Sequence, residues 1–226
     1  MRLCEIKHPE RLNISKEAIA LDFRTDRSNT GGMIGRPKNF DQQVALHAAT
    51  DLFWRRGYTA TSLDDLLGVM SLSKSSFYAE FKSKEALYRA CLKDYQQMIV
   101  CHLEQVRSGA SSLRDFLDAI FQEAIDDATS GDPKGCLIVN SAVEFGQHKT
   151  QFTEDVRVAL EAIQKAFESA IQMAVRNGEF VTNSSPKLLA KAITTLMSGV
   201  RTMIKGGMPP KDAKAVAQKV LDSILT

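Results

Sequence analysis

The stretch TSLDDLLGVMSLSKSSFYAEFKSKEAL, residues 61–87, holds three helix starts in succession. Thr61 or Ser62 offers an N-cap, Asp64 and Asp65 occupy the first turn, and Leu63, Leu66, Leu67 and Met70 share one face. The break Ser71-Leu72-Ser73 separates this short helix from a second, Lys74 to Phe81. Ser83 then caps a longer helix whose apolar side carries Leu87, Ala90, Cys91, Met98 and Cys101. A short helix, a tight turn and a second short helix match the helix-turn-helix, whose second helix enters the major groove of DNA. Lys74, Ser75 and Ser76 place basic and small polar groups on the first turn of that helix, where base edges and phosphates can use them. Phe77 and Phe81, at i and i+4, turn inward and leave that turn in solvent.

Reading outward, Ala45, Ala48, Ala49, Leu52 and Phe53 lie on one helical face after an N-cap at Asp41, and Gly57 follows the helix end. Beyond Gly109, helical patterns run near 112–129, 136–147, 151–176, 186–204 and 211–225, and no stretch alternates as a strand does. The fold class expected is all-α: a three-helix helix-turn-helix domain over 35–82, then a larger helical ligand-binding and dimerisation domain over 83–226. Residues 1–34 mix opposite charges and end in a Gly-rich linker. They read as a flexible extension, with at most a short helix over Ser15 to Phe23, and Met33 is an alternative start.

Composition narrows the class without naming a partner. The 226 residues are 44% hydrophobic and 25% charged with a net charge of +2, ordinary values for a folded soluble protein, so any nucleic-acid reading must rest on local placement. No apolar run approaches a membrane span or a signal peptide, which gives an expectation of a cytoplasmic protein without membrane contact. The triplets at Asn13 and Asn183 that resemble glycosylation sites are read as chance matches. Cys4, Cys91, Cys101 and Cys136 are not spaced with His8, His47, His102 and His148 as metal ligands, so neither metal nor cofactor is expected. Ser71-Leu72-Ser73-Lys74 matches the S-x-x-K serine-nucleophile pattern but lacks its companion motifs, and no enzyme is expected.

Gly57-Tyr58, Thr61-Ser62, Ser73 to Tyr78, Phe81 and Ser83 to Leu87 together resemble the N-terminal domain of TetR-type transcriptional regulators over about residues 36–92. The resemblance implies a homodimer on a near-palindromic double-stranded operator, most often a repressor relieved by a small molecule. It also implies that Lys74, Ser75, Ser76 and Tyr78 face bases or adjacent phosphates. Thr61 or Ser62 and Lys84 would hold the DNA backbone at helix N-termini, and Arg36 and Lys38 would form a basic arm. Two positions depart from the pattern, Leu67 where Ala is usual and Ser71 where Gly is usual.

The last two patterns carry apolar bands, Leu188, Leu189, Ala192, Ile193, Leu196, Met197 and Val200, then Ala213, Val216, Ala217, Val220, Leu221 and Ile224. They are expected to pair two protomers through a four-helix interface. An apolar or amphipathic inducer is expected among Met98, Phe116, Phe121, Phe145, Phe152, Phe167, Met173 and Met197, with the helix from Ser83 transmitting its effect. Two alternatives stay open: a thiol-based, redox- or electrophile-responsive repressor acting through Cys136, and a helical adaptor that does not bind DNA.

Overall fold

The computed structural model describes residues 41–129, 131–146 and 150–225. The chain forms α1 (Gln42–Arg56), α2 (Leu63–Met70), α3 (Lys74–Phe81), α4 (Lys84–Gly109), α5 (Leu113–Thr129), α6 (Leu137–Phe145), α7 (Gln151–Arg176), α8 (Pro186–Lys205) and α9 (Pro210–Ile224), with no strand among the described residues. The expected extension over 1–34, Arg36 and Lys38 lie outside the described residues. No described helix is long and apolar enough to cross a membrane.

Side-chain caps fix the starts. The Asp41 carboxylate accepts hydrogen bonds from the amides of Gln43 at 2.8 Å and Val44 at 3.3 Å, and Ser73, Ser83, Thr150 and Ser185 cap α3, α4, α7 and α8 in the same way. Ser62 and Asp65 form a reciprocal capping box on α2. Helix α2 ends at Ser71 in the left-handed region, with φ 52° and ψ 42°, which costs a residue bearing a Cβ about 1 kcal/mol relative to Gly.

Helices α1–α3 close around Ala49, Phe53, Leu66 and Phe77, and the start of α4 completes that cluster with Leu87, Tyr88 and Cys91, all buried. Each such large apolar side chain contributes about 1.5–3 kcal/mol by leaving water. Helix α4 continues into the second half, where α7 lies against both α4 and α8, and α9 packs on α5 and α8.

The apolar bands of α8 and α9 divide between two environments. Leu189, Ile193, Val200, Ala213, Ala217 and Leu221 are buried within the protomer, so these six expected interface residues are corrected to core positions. A helix whose apolar residues cover more than one stripe can face its own core and a second surface at once. The outer stripe is Leu188, Ala192, Leu196, Met203, Val216 and Val220, with Leu188 60% exposed; Ile224 is half-buried against the core.

Candidate nucleic-acid interface and internal cavity

Helix α3 separates its supports from its exposed chemistry. Phe77 and Phe81 are buried, whereas Lys74, Ser75 and Tyr78 stand in solvent, Tyr78 at 45% exposure. The Ser73 hydroxyl accepts from the Ser76 amide at 3.2 Å and meets the Ser75 and Ser76 hydroxyls at 3.0 and 2.9 Å. The exposed turn therefore carries one cation, clustered hydroxyls and a phenol on a rigid base. Ser71-Leu72-Ser73-Lys74 is accounted for as the C-cap of α2, the turn and the start of α3.

Two expected backbone contacts are placed otherwise. Thr61 is 1% exposed and its hydroxyl donates to the Gly57 carbonyl at 2.7 Å, so it is turned away from any groove. Lys84 lies with its ammonium 4.2 Å from the Tyr58 ring centroid, and burial lowers its pKa against the opposing charge of Glu144. It belongs to the junction between the helix-turn-helix and the rest of the chain. Ser62 remains exposed, but its hydroxyl donates to Asp65 at 2.6 Å and accepts from the Asp65 amide at 3.1 Å, so the capping box already engages it.

A cavity of about 60 Å³ sits where α4, α5, α6, α7 and α8 converge. Of the eight expected pocket residues, Phe167 and Met197 line it. Phe145 and Phe152 instead join Tyr58 and Tyr88 in an aromatic cluster at the junction, with centroids 4.6–5.9 Å apart. Phe116 is buried against Phe167, Phe121 borders a surface groove between α5 and α9, Met173 is 44% exposed, and Met98 packs half-buried outside the cavity. Aromatic and Met residues fill a core as readily as they line a pocket, so composition could not separate these.

The cavity walls are mostly Ile99, Leu103, Ile120, Leu160, Ile163 and Phe167, with polar groups from Tyr95, His102, Glu123, Cys136, Thr194, Ser198 and Arg201. His102 Nε2 and Glu123 are 2.6 Å apart, and Arg201 donates to Asp127 at 3.0 Å. Burial opposes the charge on Arg201, yet its surroundings, Tyr95 and Asp127 foremost, hold its pKa above the ordinary value, so it stays a cation. Burial raises the Tyr95 hydroxyl well above its usual range and pushes the Cys91 thiol up to about 12, which leaves Cys91 inert. The sequence signal for this site was Arg201 itself, one turn from Met197 inside the apolar band of α8. Among the described residues, no cluster of His, Cys, Asp and Glu could hold a metal ion.

Comparison with known proteins follows the same division. Residues 45–91 match the bacterial regulatory proteins of the tetR family, and residues 109–218 match the tetracyclin repressor-like C-terminal domain. A cysteine-substituted form of the TetR family regulator CifR, solved with 26-bp double-strand operator DNA, is 30% identical, with 83% of this chain and 98% of that one covered and a TM-score of 0.71. The transcriptional repressor ComR of Escherichia coli K12 is 28% identical over 175 residues, covering 76% of this chain and 83% of ComR. The repressor NemR of the same organism is 30% identical over 138 residues, covering 59% of this chain and 66% of NemR. With its capped helix-turn-helix and its helical second half, the chain belongs to the TetR family and is a DNA-binding transcriptional regulator.

Proposed function

We propose that the chain is a cytoplasmic repressor that binds a near-palindromic operator as a homodimer and leaves it when a small molecule occupies the cavity. The observation that carries the DNA reading is α3, whose apolar residues are buried while Lys74, Ser75 and Tyr78 are presented outward. The repressors ComR and NemR and the operator complex of CifR support the same reading. The outer stripe of α8 and α9 supports pairing with a second copy.

Around the cavity, Arg201 is already paired with Asp127, and Glu123 already meets His102. A charged ligand would bring an uncompensated ion into this apolar space, at a cost of several kcal/mol. An uncharged, compact molecule with an acceptor for the Arg201 guanidinium fits best. Helix α4 connects the sites, since Tyr95 lines the cavity and also meets Trp54 of α1 edge to face at 4.9 Å. A ligand that prefers the DNA-incompetent arrangement by ~100-fold contributes about 2.7 kcal/mol against operator binding.

A second reading, a thiol switch, is favoured by Cys136, which lines the cavity while Cys91 and Cys101 are buried. Uncharged compounds that raise the melting temperature should be tested for operator release by fluorescence anisotropy, with Cys136→Ser alongside. A reversible inducer weakens operator binding about tenfold or more in both proteins, and a thiol-directed one acts only on the parent. If every tight ligand leaves operator affinity unchanged, the inducer reading is wrong.

A further inference from the structure

Helix α6 touches the cavity at one end and the helix-turn-helix at both. Cys136, its N-cap, and Val139 line the cavity. Just before it, Lys134 pairs with Asp51 of α1 and lies 5.1 Å from the Trp54 ring centroid, and Asp132 pairs with Arg55. At its far end the Glu144 carboxylate accepts the backbone N–H of Tyr58 at 3.0 Å and of Thr59 at 2.7 Å, in the loop between α1 and α2. That loop leads directly into the capping box of α2, and hence to the turn that presents α3.

The close approach is built into the backbone. Gly57 has φ +79°, and a Cβ there would come within 3.0 Å of the Glu144 carboxylate. Glycine thus serves both the left-handed conformation and the clearance that lets the carboxylate reach two consecutive amides. The Lys84 ammonium over Tyr58 supplies a nearby cation, and Tyr88 meets Ser141 of α6 through a buried hydrogen bond of 2.7 Å. Two hydrogen bonds to an ionised acceptor are stronger and more directional than neutral ones. They join residues 85 and 86 positions apart in sequence.

We propose that Glu144 is the coupling residue of this regulator: by holding the Tyr58 and Thr59 amides, it delivers a displacement of α6 at the cavity to the DNA-reading head. This rests on the reading of the cavity as an inducer site, and it adds to α4 a second route that ends on a specific pair of hydrogen bonds. Glu144 lies outside the cavity lining and bonds loop backbone, so its role is that of a positioning residue.

The test uses the full chain with Cys4→Ser, so that Cys136 is the half-exposed thiol beside the buried Cys91 and Cys101. Methyl methanethiosulfonate places a methylthio group on the Cys136 sulfur and releases methanesulfinate, which enlarges a side chain in the cavity wall. Backbone hydrogen exchange at residues 57–62 and operator affinity are then read in the parent, Glu144→Ala and Glu144→Gln. The expected result is exchange at Tyr58 and Thr59 about tenfold faster after modification of the parent. In Glu144→Ala the loop exchanges fast with or without the methylthio group, and Glu144→Gln, keeping one acceptor oxygen, lies between. Glu144→Gln decides the matter if Glu144→Ala does not fold. Unchanged loop exchange in fully modified parent protein overturns the proposal, and if operator affinity falls in that case the inducer reading survives without it. A loosened loop with unchanged operator affinity keeps the coupling through Glu144 and removes the inducer reading instead.

Discussion

On α3, the side chains proposed to read DNA are not the ones that support the helix: Lys74, Ser75 and Tyr78 are exposed, and Phe77 and Phe81 are buried. Because Lys74 and Tyr78 are exposed, and Tyr78 meets the buried Phe77 ring edge to face at 5.4 Å from the solvent side, Lys74→Ala should keep the melting temperature and Tyr78→Ala should lower it only slightly. Each should also reduce discrimination among DNA sequences by about 1–3 kcal/mol, measured by competition between the preferred operator and scrambled duplexes. Loss of folding, or equal weakening on every duplex, would place them elsewhere. A second residue-scale effect links α1 to α4. A hydrogen bond to Asp94 raises the pKa of His47, and the same bond, before the other influences on it, lowers that of Asp94; the two lie 3.4 Å apart, with Gln43 bonded to both and Asp41 adding attraction. A raised histidine pKa stabilises the fold below the unfolded value of 6.5 and loses that contribution as pH climbs through the folded value. The parent should therefore lose more stability than His47→Gln between pH 6 and pH 8. The difference should be under about 1 kcal/mol because His47 is largely exposed, and equal pH profiles in thermal melts would contradict it. Caps and inward phenylalanines were legible in the sequence because they depend on neighbours within four residues. Thr61 and Lys84 were not, since Thr61 becomes buried only when the folded chain packs over it and Lys84 is drawn to the Tyr58 ring from a distant part of the sequence.

Helix existence and limits could be read to within about two residues, since Gly, Pro and Ser mark nearly every break. Which stripe of α8 faces inward could not be read, because α8 is apolar over more than half its circumference and only the positions of α7 and α9 decide the matter. The outer stripe gives a sharp expectation. Leu188→Glu with Val216→Glu introduces two charges on exposed apolar positions and leaves Ile193 and Leu221 in the core. Light scattering should show monomers that melt cooperatively and bind operator much more weakly, because each monomer offers one half-site contact. A dimer that persists would move the interface off this surface.

Over the whole molecule, the cavity was the least legible feature, since it needs residues from five helices brought to one point. Its members His102, Glu123 and Arg201 are scattered over nearly a hundred positions of sequence and become a site only through packing. The fold of the head was legible because its caps and turn lie in contiguous residues of two short helices. If the outer stripes of α8 and α9 join two copies, a two-fold axis relates two α3 helices, and the DNA they read must share that symmetry. Enrichment of the purified chain from a pool of random duplexes measures this directly. The account predicts recovery of an inverted repeat whose half-sites are centred roughly one helical turn, about 34–36 Å, or a multiple of that apart, with enrichment weakened in Lys74→Ala. Recovery of no inverted repeat, or of one unaffected by Lys74→Ala, would contradict it.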